Sequence, residues 1–209
     1  MQASASGRAS ARSQAFLGGW RLLRLLLIGF AAAVLLRLTV LQVYTVSSES
    51  MEPTLRAGDR VLVWKLAARS QPARGDVVVF DGRDTLAPGE SEPNLLRSLL
   101  LAEPLDRSLF VKRVIGIGGD EVKCCDERGR LLVNGRPLAE TYLMGAAADT
   151  DFDVEVPLGH FFVLGDNRLA SLDSLDLLGA PGGGMIPTSR IVGSVTAIAW
   201  PPARMRAVD

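Results

Sequence analysis

The stretch Arg60-Val61-Leu62-Val63-Trp64-Lys65 follows the turn-forming pair Gly58-Asp59 and is rich in aliphatic and β-branched residues. Short runs of this kind, bounded by turn residues, are typical of β-strands. Asp76-Val77-Val78-Val79-Phe80 has the same character and begins directly after Gly75. The same reasoning predicts further strands at Leu109–Ile115, Glu121–Cys125, Leu131–Asn134, His160–Leu164 and Ile191–Trp200.

The segments between the predicted strands are rich in glycine and proline. Asn134-Gly135 is the dipeptide most typical of a tight β-hairpin turn. Many short strands separated by such glycine- and proline-rich turns predict a mainly β fold, a barrel-like antiparallel domain. Residues 176–187, which contain Gly182-Gly183-Gly184, are predicted to form a mobile loop.

Residues 81–108 are predicted to be an insertion in the β-domain. Their four leucines Leu95, Leu96, Leu99 and Leu100 have the spacing of one helix face. We expect this helix to pack on the β-domain, although contact with a membrane surface is the alternative.

Charge is balanced in number but not in position. Lys+Arg and Asp+Glu both total 23. This balance argues against nucleic-acid binding, because nucleic-acid-binding proteins usually carry an excess of basic residues. The first acidic residue is Glu49, and several arginines precede it, among them Arg8, Arg12, Arg21 and Arg24. A basic, acid-free tail before an apolar run indicates the cytoplasmic flank of a membrane anchor.

The apolar run extends from Leu22 to Val43. It reaches the length of about 20 residues that a bilayer requires, provided that Arg24 and Arg37 extend toward opposite interfaces. Trp20 and Tyr44 bracket the run, as aromatic residues do at membrane interfaces. We therefore predict a single transmembrane helix with the N-terminus inside.

The predicted domain organisation has three parts: a cytoplasmic basic tail at 1–21, a transmembrane anchor at 22–44 and an extracytoplasmic domain at 45–209. One alternative is a cleaved secretory signal ending at Ala31-Ala32-Ala33. Apolar residues continue well past Ala33, which favours the anchor. A buried helix of a soluble domain is the third interpretation, and the lack of polar patterning disfavours it.

Cys124 and Cys125 are the two cysteines of the chain, and His160 is its one histidine. This inventory suggests no four-ligand zinc site. Bridges between adjacent cysteines are rare, because they distort the intervening peptide. We expect two thiols on opposite faces of a strand, with a redox-sensitive bridge as the alternative.

Ser50 lies in a turn-prone stretch, with Pro53 restricting the backbone shortly after it. Such a turn exposes a hydroxyl and directs backbone N–H groups toward a developing oxyanion, to which Ser48 could add a hydroxyl donor. A serine hydroxyl needs a base to accept its proton. His160, between Gly159 and Phe161, is expected to be structural.

Lys112 lies within the apolar run Phe110-Val111-Lys112-Arg113-Val114-Ile115-Gly116. A strand lysine that faces a core is desolvated, and desolvation lowers its pKa toward that of a usable general base. The alternative is a solvated lysine paired with a carboxylate. Ser50 and Lys112 therefore form a candidate pair for nucleophilic catalysis without histidine.

Four segments, taken in order, resemble the sequence boxes of the type I signal peptidases, also called leader peptidases. They are Ser48–Leu55, Arg74–Phe80, Lys112–Asp120 and Gly165–Ser174. The closing segment Ile191–Pro201 is also similar to that family. Four ordered boxes over most of the chain after Leu36 make the resemblance specific, although no single box would.

The resemblance implies a role for each matched residue. Ser50 is the implied nucleophile and Lys112 the implied base, and no metal or cofactor takes part. Ser48 and the backbone N–H of Ser50 are the implied oxyanion hole, and Ser171 orients Lys112.

The resemblance also implies supporting residues and a substrate pocket. Asp173 pairs with Arg113 in the implied support of the site. Shallow pockets around Met51 and Val111 are implied to select small side chains. The stretch between Lys112 and the last box is short, so the cap region of larger members is predicted to be small here, at 121–160.

Three positions depart from the family pattern in the last box. Leu169 and Ala170 replace Asp-Asn, and Leu175 replaces a final arginine. That arginine normally joins Asp173, so we expect weaker support of the site but the same catalytic pair.

The function implied by the resemblance is that of a membrane-bound serine endopeptidase in the cytoplasmic membrane. It removes signal peptides from secretory preproteins and cuts after small residues in an Ala-X-Ala pattern. Its expected partners are those preproteins and the lipid bilayer, and a monomer is expected. Two alternatives are a specialised Ser-Lys protease of narrow range and a non-catalytic membrane-anchored binding domain.

Overall fold

The computed structural model describes residues 20, 22–34, 40–65, 72–83, 85–86, 108–148 and 150–208. The chain divides into two compact units, Met1–Thr39 and Val40–Asp209. In the first unit, residues 22–34 are helical and their apolar side chains are largely exposed. The guanidinium of Arg24 lies 5.3 Å from the centre of the Trp20 ring. Within the described ranges, no helix has both the length and the apolarity needed to cross a bilayer.

Within its described residues, the second unit contains two antiparallel sheets. The larger has eight strands in the order β1-β2-β11-β3-β4-β9-β10, and β12 pairs with β11. These strands are β1 (Leu41–Thr45), β2 (Arg60–Trp64), β3 (Val77–Asp81), β4 (Leu109–Ile117), β9 (His160–Leu164), β10 (Ile186–Pro187), β11 (Ile191–Trp200) and β12 (Arg206–Ala207). The prediction of a mainly β, antiparallel fold is confirmed.

The smaller sheet has four strands in the order β7-β6-β5-β8. They are β5 (Glu121–Cys124), β6 (Leu132–Val133), β7 (Arg136–Pro137) and β8 (Phe152–Glu155). The predicted hairpin turn is present between β6 and β7, where Asn134 and Gly135 have φ values of 53° and 73°. Both residues are therefore left-handed, as a type I′ turn requires.

Strand β1 corrects the predicted end of the membrane anchor. Leu41–Thr45 pairs antiparallel with β2, with Tyr44 opposite Val61. Tyr44 is buried in the core of the second unit rather than placed at a membrane interface. The prediction failed because an apolar run read in sequence cannot separate the end of a helix from the edge strand that follows it.

The central strands are apolar on both faces because both faces are covered. Val77 and Val79 of β3 belong to one core cluster, while Val78 and Phe80 belong to another. Successive side chains of a strand point to opposite faces of the sheet. The side chains of the Val-Val-Val-Phe sequence thus pack into two core clusters, one on each face of the sheet. The neighbouring strand β4 therefore lies in the middle of the domain.

Cys124 and Cys125 form a disulfide, so the expectation of two separate thiols was wrong. The peptide bond between them is cis, and their Cα atoms are 3.0 Å apart. Neighbouring side chains of an extended strand point to opposite faces, whereas in this conformation the two sulfurs meet.

Two further expectations concern loops. The helix predicted within 81–108 lies outside the described residues. Residues 176–187, predicted as a mobile loop, form a series of turns followed by β10, which pairs with β9. The Ser174 hydroxyl donates a 2.7 Å hydrogen bond to the carbonyl of Gly184 and ties these turns to the last sequence box.

Candidate active site

Ser50 begins a tight turn between β1 and β2. The Leu55 N–H donates to the carbonyl of Met51 at 2.8 Å, which closes the turn. Ser50 is buried, and its Oγ lies 3.1 Å from the Oγ of Ser48. The predicted placement of the two serines side by side is therefore observed.

Lys112 lies in the middle of β4, paired in register with Val78 of β3. Its side chain is 3% exposed, and Nζ donates a 2.9 Å hydrogen bond to Ser171 Oγ. Burial disfavours the charged amine and lowers the pKa of Lys112 to about 8, while the carboxylates of Asp173, Asp176 and Asp166 oppose that change. A lysine with this pKa has a substantial neutral fraction at physiological pH, as a general base requires.

Ser171 connects Lys112 to Asp173. Its Oγ donates a 2.6 Å hydrogen bond to Asp173 Oδ2. A hydroxyl carries one proton, so this bond leaves the Ser171 oxygen free to accept from Lys112. Asp173 is held in turn by the backbone N–H groups of Gly165, at 2.9 Å, and Leu175, at 3.1 Å. Burial raises the pKa of Asp173, and these hydrogen bonds together with the charge of Lys112 act against that increase.

Ser50 and Lys112 line the same groove, which has a volume of ≈ 310 Å³. Its walls are mostly apolar and include Ser48, Met51 and Val111, which the sequence also assigned to the site. Among the hydrogen bonds of the described residues, none joins Ser50 Oγ to Lys112 Nζ. Catalytic hydrogen bonds are commonly long before substrate binds and tighten in the complex.

The predicted pairing of Arg113 with Asp173 is not what the structure shows. Arg113 makes a two-pronged contact with Asp166, from Nε to Oδ1 and from Nη2 to Oδ2, both at 2.9 Å. Both side chains are buried. The Arg113 guanidinium also stacks 3.8 Å from the ring centre of Tyr142. Asp166 precedes Asp173 in the same box, and only the folding of that box decides which carboxylate reaches Arg113.

Three residues for which the sequence predicted no role link the Ser50 turn to the last sequence box. They are Thr54, Asp166 and Asn167. Thr54 Oγ1 donates a hydrogen bond to Asp166 Oδ2. The Asn167 N–H donates to the carbonyl of Ser50 at 3.0 Å, and its side-chain amide donates to the carbonyl of Glu49 at 3.3 Å. Thr54, Asp166 and Asn167 all belong to the recognised boxes, so their membership was the available signal. Tyr142 lies outside the boxes and carried no signal.

A serine and a buried lysine lie on one apolar groove, with a second hydroxyl beside the serine, which is the arrangement that a serine hydrolase with a lysine base would require. Residues 19–200 match the family model described as "Signal peptidase, peptidase S26". This chain belongs to that family.

Named relatives agree with the family model. The chain is 35% identical over 224 residues to the probable signal peptidase I of Mycobacterium leprae (strain TN), covering 88% of this chain and 77% of that protein. It is 38% identical over 194 residues to signal peptidase I of Mycobacterium tuberculosis (strain ATCC 25618 / H37Rv), covering 77% and 65%. It is 32% identical over 195 residues to signal peptidase I of Bacillus licheniformis, covering 88% and 90%.

Proposed function

We propose that this protein is a membrane-bound serine endopeptidase that removes N-terminal signal peptides from secreted preproteins. The observation that carries the proposal is the buried Lys112 amine, held by Ser171 on the groove that also contains Ser50. The reaction is inferred from family membership, and the hydroxyl and the amine that it requires both lie on the groove.

Ser50 and Lys112 divide the chemistry of the acylation step. The neutral Lys112 amine accepts the hydroxyl proton as Ser50 Oγ attacks the carbonyl carbon of the scissile bond. The resulting ammonium then gives that proton to the leaving amine, and an ester between Ser50 and the signal peptide remains. A water molecule, deprotonated by Lys112, hydrolyses the ester and restores the serine.

Negative charge develops on the carbonyl oxygen during each addition step. Ser48 Oγ lies 3.1 Å from Ser50 Oγ, so a hydroxyl donor stands beside the attacking atom. We assign Ser48 and the backbone N–H of Ser50 to the stabilisation of this oxyanion. Donors that are fixed before reaction are effective because they need no reorganisation as the charge appears.

The proposed preference for small side chains follows from the groove walls. Met51 and Val111 are buried in the core, so the groove cannot deepen without disturbing packing. At ≈ 310 Å³ the groove lies at the lower end of the range of small-molecule sites, about 300–1,000 Å³. An extended peptide with alanine at two alternate positions fits such a groove, and bulkier residues there do not.

We further propose that the chain is anchored once in the cytoplasmic membrane, with its basic N-terminal tail at 1–21 on the cytoplasmic side. The apolar side chains exposed on the helix at 22–34 support this assignment. Because Leu41–Thr45 pairs with β2, we place the end of the proposed anchor before β1 and the start of the proposed extracytoplasmic domain near Val40. The protein is proposed to act as a monomer at the membrane surface, where preproteins are delivered.

The test is cleavage of a model preprotein with alanines at the two recognition positions, using the full chain in detergent. Wild type is expected to cut after the second alanine, and Ser50→Ala and Lys112→Ala to show no processing above background. Lys123→Ala is the matched control, because Lys123 is an exposed lysine paired with Asp153 in the smaller sheet. Cleavage that survives in Ser50→Ala, or a folded wild type that neither cuts nor labels with a serine-directed acylating probe, refutes the proposal.

A further inference from the structure

The turn that carries Ser50 is held at its far end by residues from the C-terminus. The carbonyl oxygen of Thr54 accepts hydrogen bonds from Nη2 of Arg206, at 3.0 Å, and from Nη2 of Arg204, at 3.4 Å. The side chain of the same threonine donates to Asp166. Thr54 is therefore fixed from two sides by different parts of the chain.

Asp59 closes the loop in which that turn lies. Its backbone carbonyl accepts from the Val46 N–H at 2.8 Å, which brings the two ends of the segment 46–59 together. Its side chain accepts from the Arg56 N–H at 2.9 Å. The Asp59 carboxylate is almost fully buried, at 2% exposure. A buried carboxylate needs a charged partner, since an unpaired buried charge is strongly unfavourable.

Arg204 is the cationic partner of Asp59. Its Nε and Nη2 contact Oδ1 and Oδ2 of Asp59, both at 2.9 Å, in the two-pronged geometry that restricts both distance and direction. Arg204 belongs to the 3-10 turn Pro202–Arg204, directly after β11. Because β11 pairs with both β2 and β3, this turn is attached to the central sheet.

We propose that Arg204 is a positioning residue for the nucleophile: through Asp59 and Thr54 it sets where the Ser50 turn stands relative to Lys112. Lys112 is carried by β4, which reaches β11 through β3. The C-terminal turn thus joins the support of the nucleophile to the sheet that supports the base. The inference rests on the proposed roles of Ser50 and Lys112, and it adds a third position on which their distance depends.

The experiment compares wild type with Arg204→Gln and with the double variant Asp59→Asn plus Arg204→Gln. The double variant leaves no unpaired buried charge, so it guards against a loss of activity that comes only from unfolding. Arg130→Gln is the matched control, since Arg130 forms a surface ion pair with Asp126 in the turn between β5 and β6. The measurements are kcat and KM for the model preprotein, the midpoint of the pH–rate profile and the thermal unfolding temperature.

A misplacement of about 1 Å can lower a rate by about 100-fold. We expect kcat to fall about 10- to 100-fold in both Arg204 variants, with KM changed less than about 3-fold, because the groove walls are retained. The pH midpoint is expected to stay near that of wild type, because Lys112 keeps its surroundings. Arg204→Lys, which keeps the charge but loses the two-pronged contact, is expected to recover part of the lost kcat.

Two results overturn the inference. One is a double variant that is folded and retains wild-type kcat. The other is a fall in activity that the loss of folded protein accounts for completely. If wild type itself neither cleaves nor labels at Ser50, the proposed function fails instead, and that outcome is visible before any Arg204 variant is compared.

Discussion

Lys112 Nζ and Ser171 Oγ are joined by a 2.9 Å hydrogen bond between β4 and the loop that follows β9. Ser171 can accept this bond because its own proton is donated to Asp173. The neutral Lys112 amine is thereby held through one of its N–H groups. Its lone pair stays available to accept a proton from the Ser50 hydroxyl. The orientation of the base thus depends on a residue that does not itself react.

Replacing Ser171 by alanine removes the acceptor that orients Lys112. Because general-base catalysis contributes about 10²- to 10⁴-fold to a rate, we expect kcat to fall at least about 100-fold. The thermal unfolding temperature is expected to change little, since one partly exposed hydroxyl is lost. Ser189→Ala, at an exposed serine, serves as the control. Unchanged kcat in Ser171→Ala would show that Lys112 needs no such partner.

The pH dependence of kcat/KM follows from the pKa of Lys112, which burial lowers to about 8. The base is active only when neutral, so the rate is expected to rise with pH and to reach half its plateau near pH 8. One pH unit below that midpoint, about a tenth of the amines are neutral. Initial rates measured from pH 6 to pH 10 test this expectation. A midpoint near the ordinary lysine pKa, or a rate that falls as pH rises, contradicts it.

The same pKa predicts that Lys112, although needed for catalysis, destabilises the fold at neutral pH and does so less as pH rises. Lys112 has a lower pKa in the folded state, about 8, than its ordinary value of 10.5. Between those values the unfolded chain binds more protons, so the free energy of unfolding contributed by this group increases with pH. Below pH 8 the buried charge costs the folded state about 3 kcal/mol.

Lys112→Met is therefore expected to be more stable than wild type at pH 7, although inactive. The hydrogen bond lost to Ser171 offsets only about 1 kcal/mol of that gain. The advantage should shrink as pH rises above 8, and urea unfolding at pH 7 and pH 9.5 measures both values. Lys123→Met, at an exposed lysine, controls for the loss of positive charge. An advantage that grows with pH contradicts the assigned pKa.

Gly165 lies where the Ser50 turn and Ser171 pack against each other with no room for a side chain. A Cβ added there would lie 2.5 Å from Ser171 Cβ and 2.5 Å from the carbonyl oxygen of Ser50. Neither atom can move independently of the site, so Gly165→Ala is expected to separate Ser50 from Lys112. Overpacking of this kind costs about 1–3 kcal/mol of stability.

For Gly165→Ala we expect kcat to fall at least about 100-fold, together with a lower thermal unfolding temperature. Gly179→Ala is the matched control, because an added Cβ there meets nothing within 4 Å. Activity close to wild type in a folded Gly165→Ala variant would show that the two segments can separate without consequence.

The sequence predicted the strands well where the local signal was unambiguous. Strands β9 and β11 have the predicted bounds, because glycines frame β9, and an arginine and a proline frame β11. The apolar residues of β1 were assigned to the anchor instead, since its partner strand lies outside the local window. The bridge between Cys124 and Cys125 was considered only as the alternative to two separate thiols, because neighbouring side chains of a regular strand point to opposite faces.

The sequence by itself determined the chemical inventory of this protein and its family: a turn with two serines, one lysine in an apolar strand, and four ordered boxes. These features are local, and each can be recognised from residue type and spacing. Only the tertiary structure decided which groups meet. It paired Arg113 with Asp166 rather than Asp173 and brought Arg204 to Asp59, whereas the contact of Ser171 with Lys112 had already been implied by the family resemblance. Those pairings join residues far apart in the chain, and they depend on the sheet register and on burial, which no local pattern specifies.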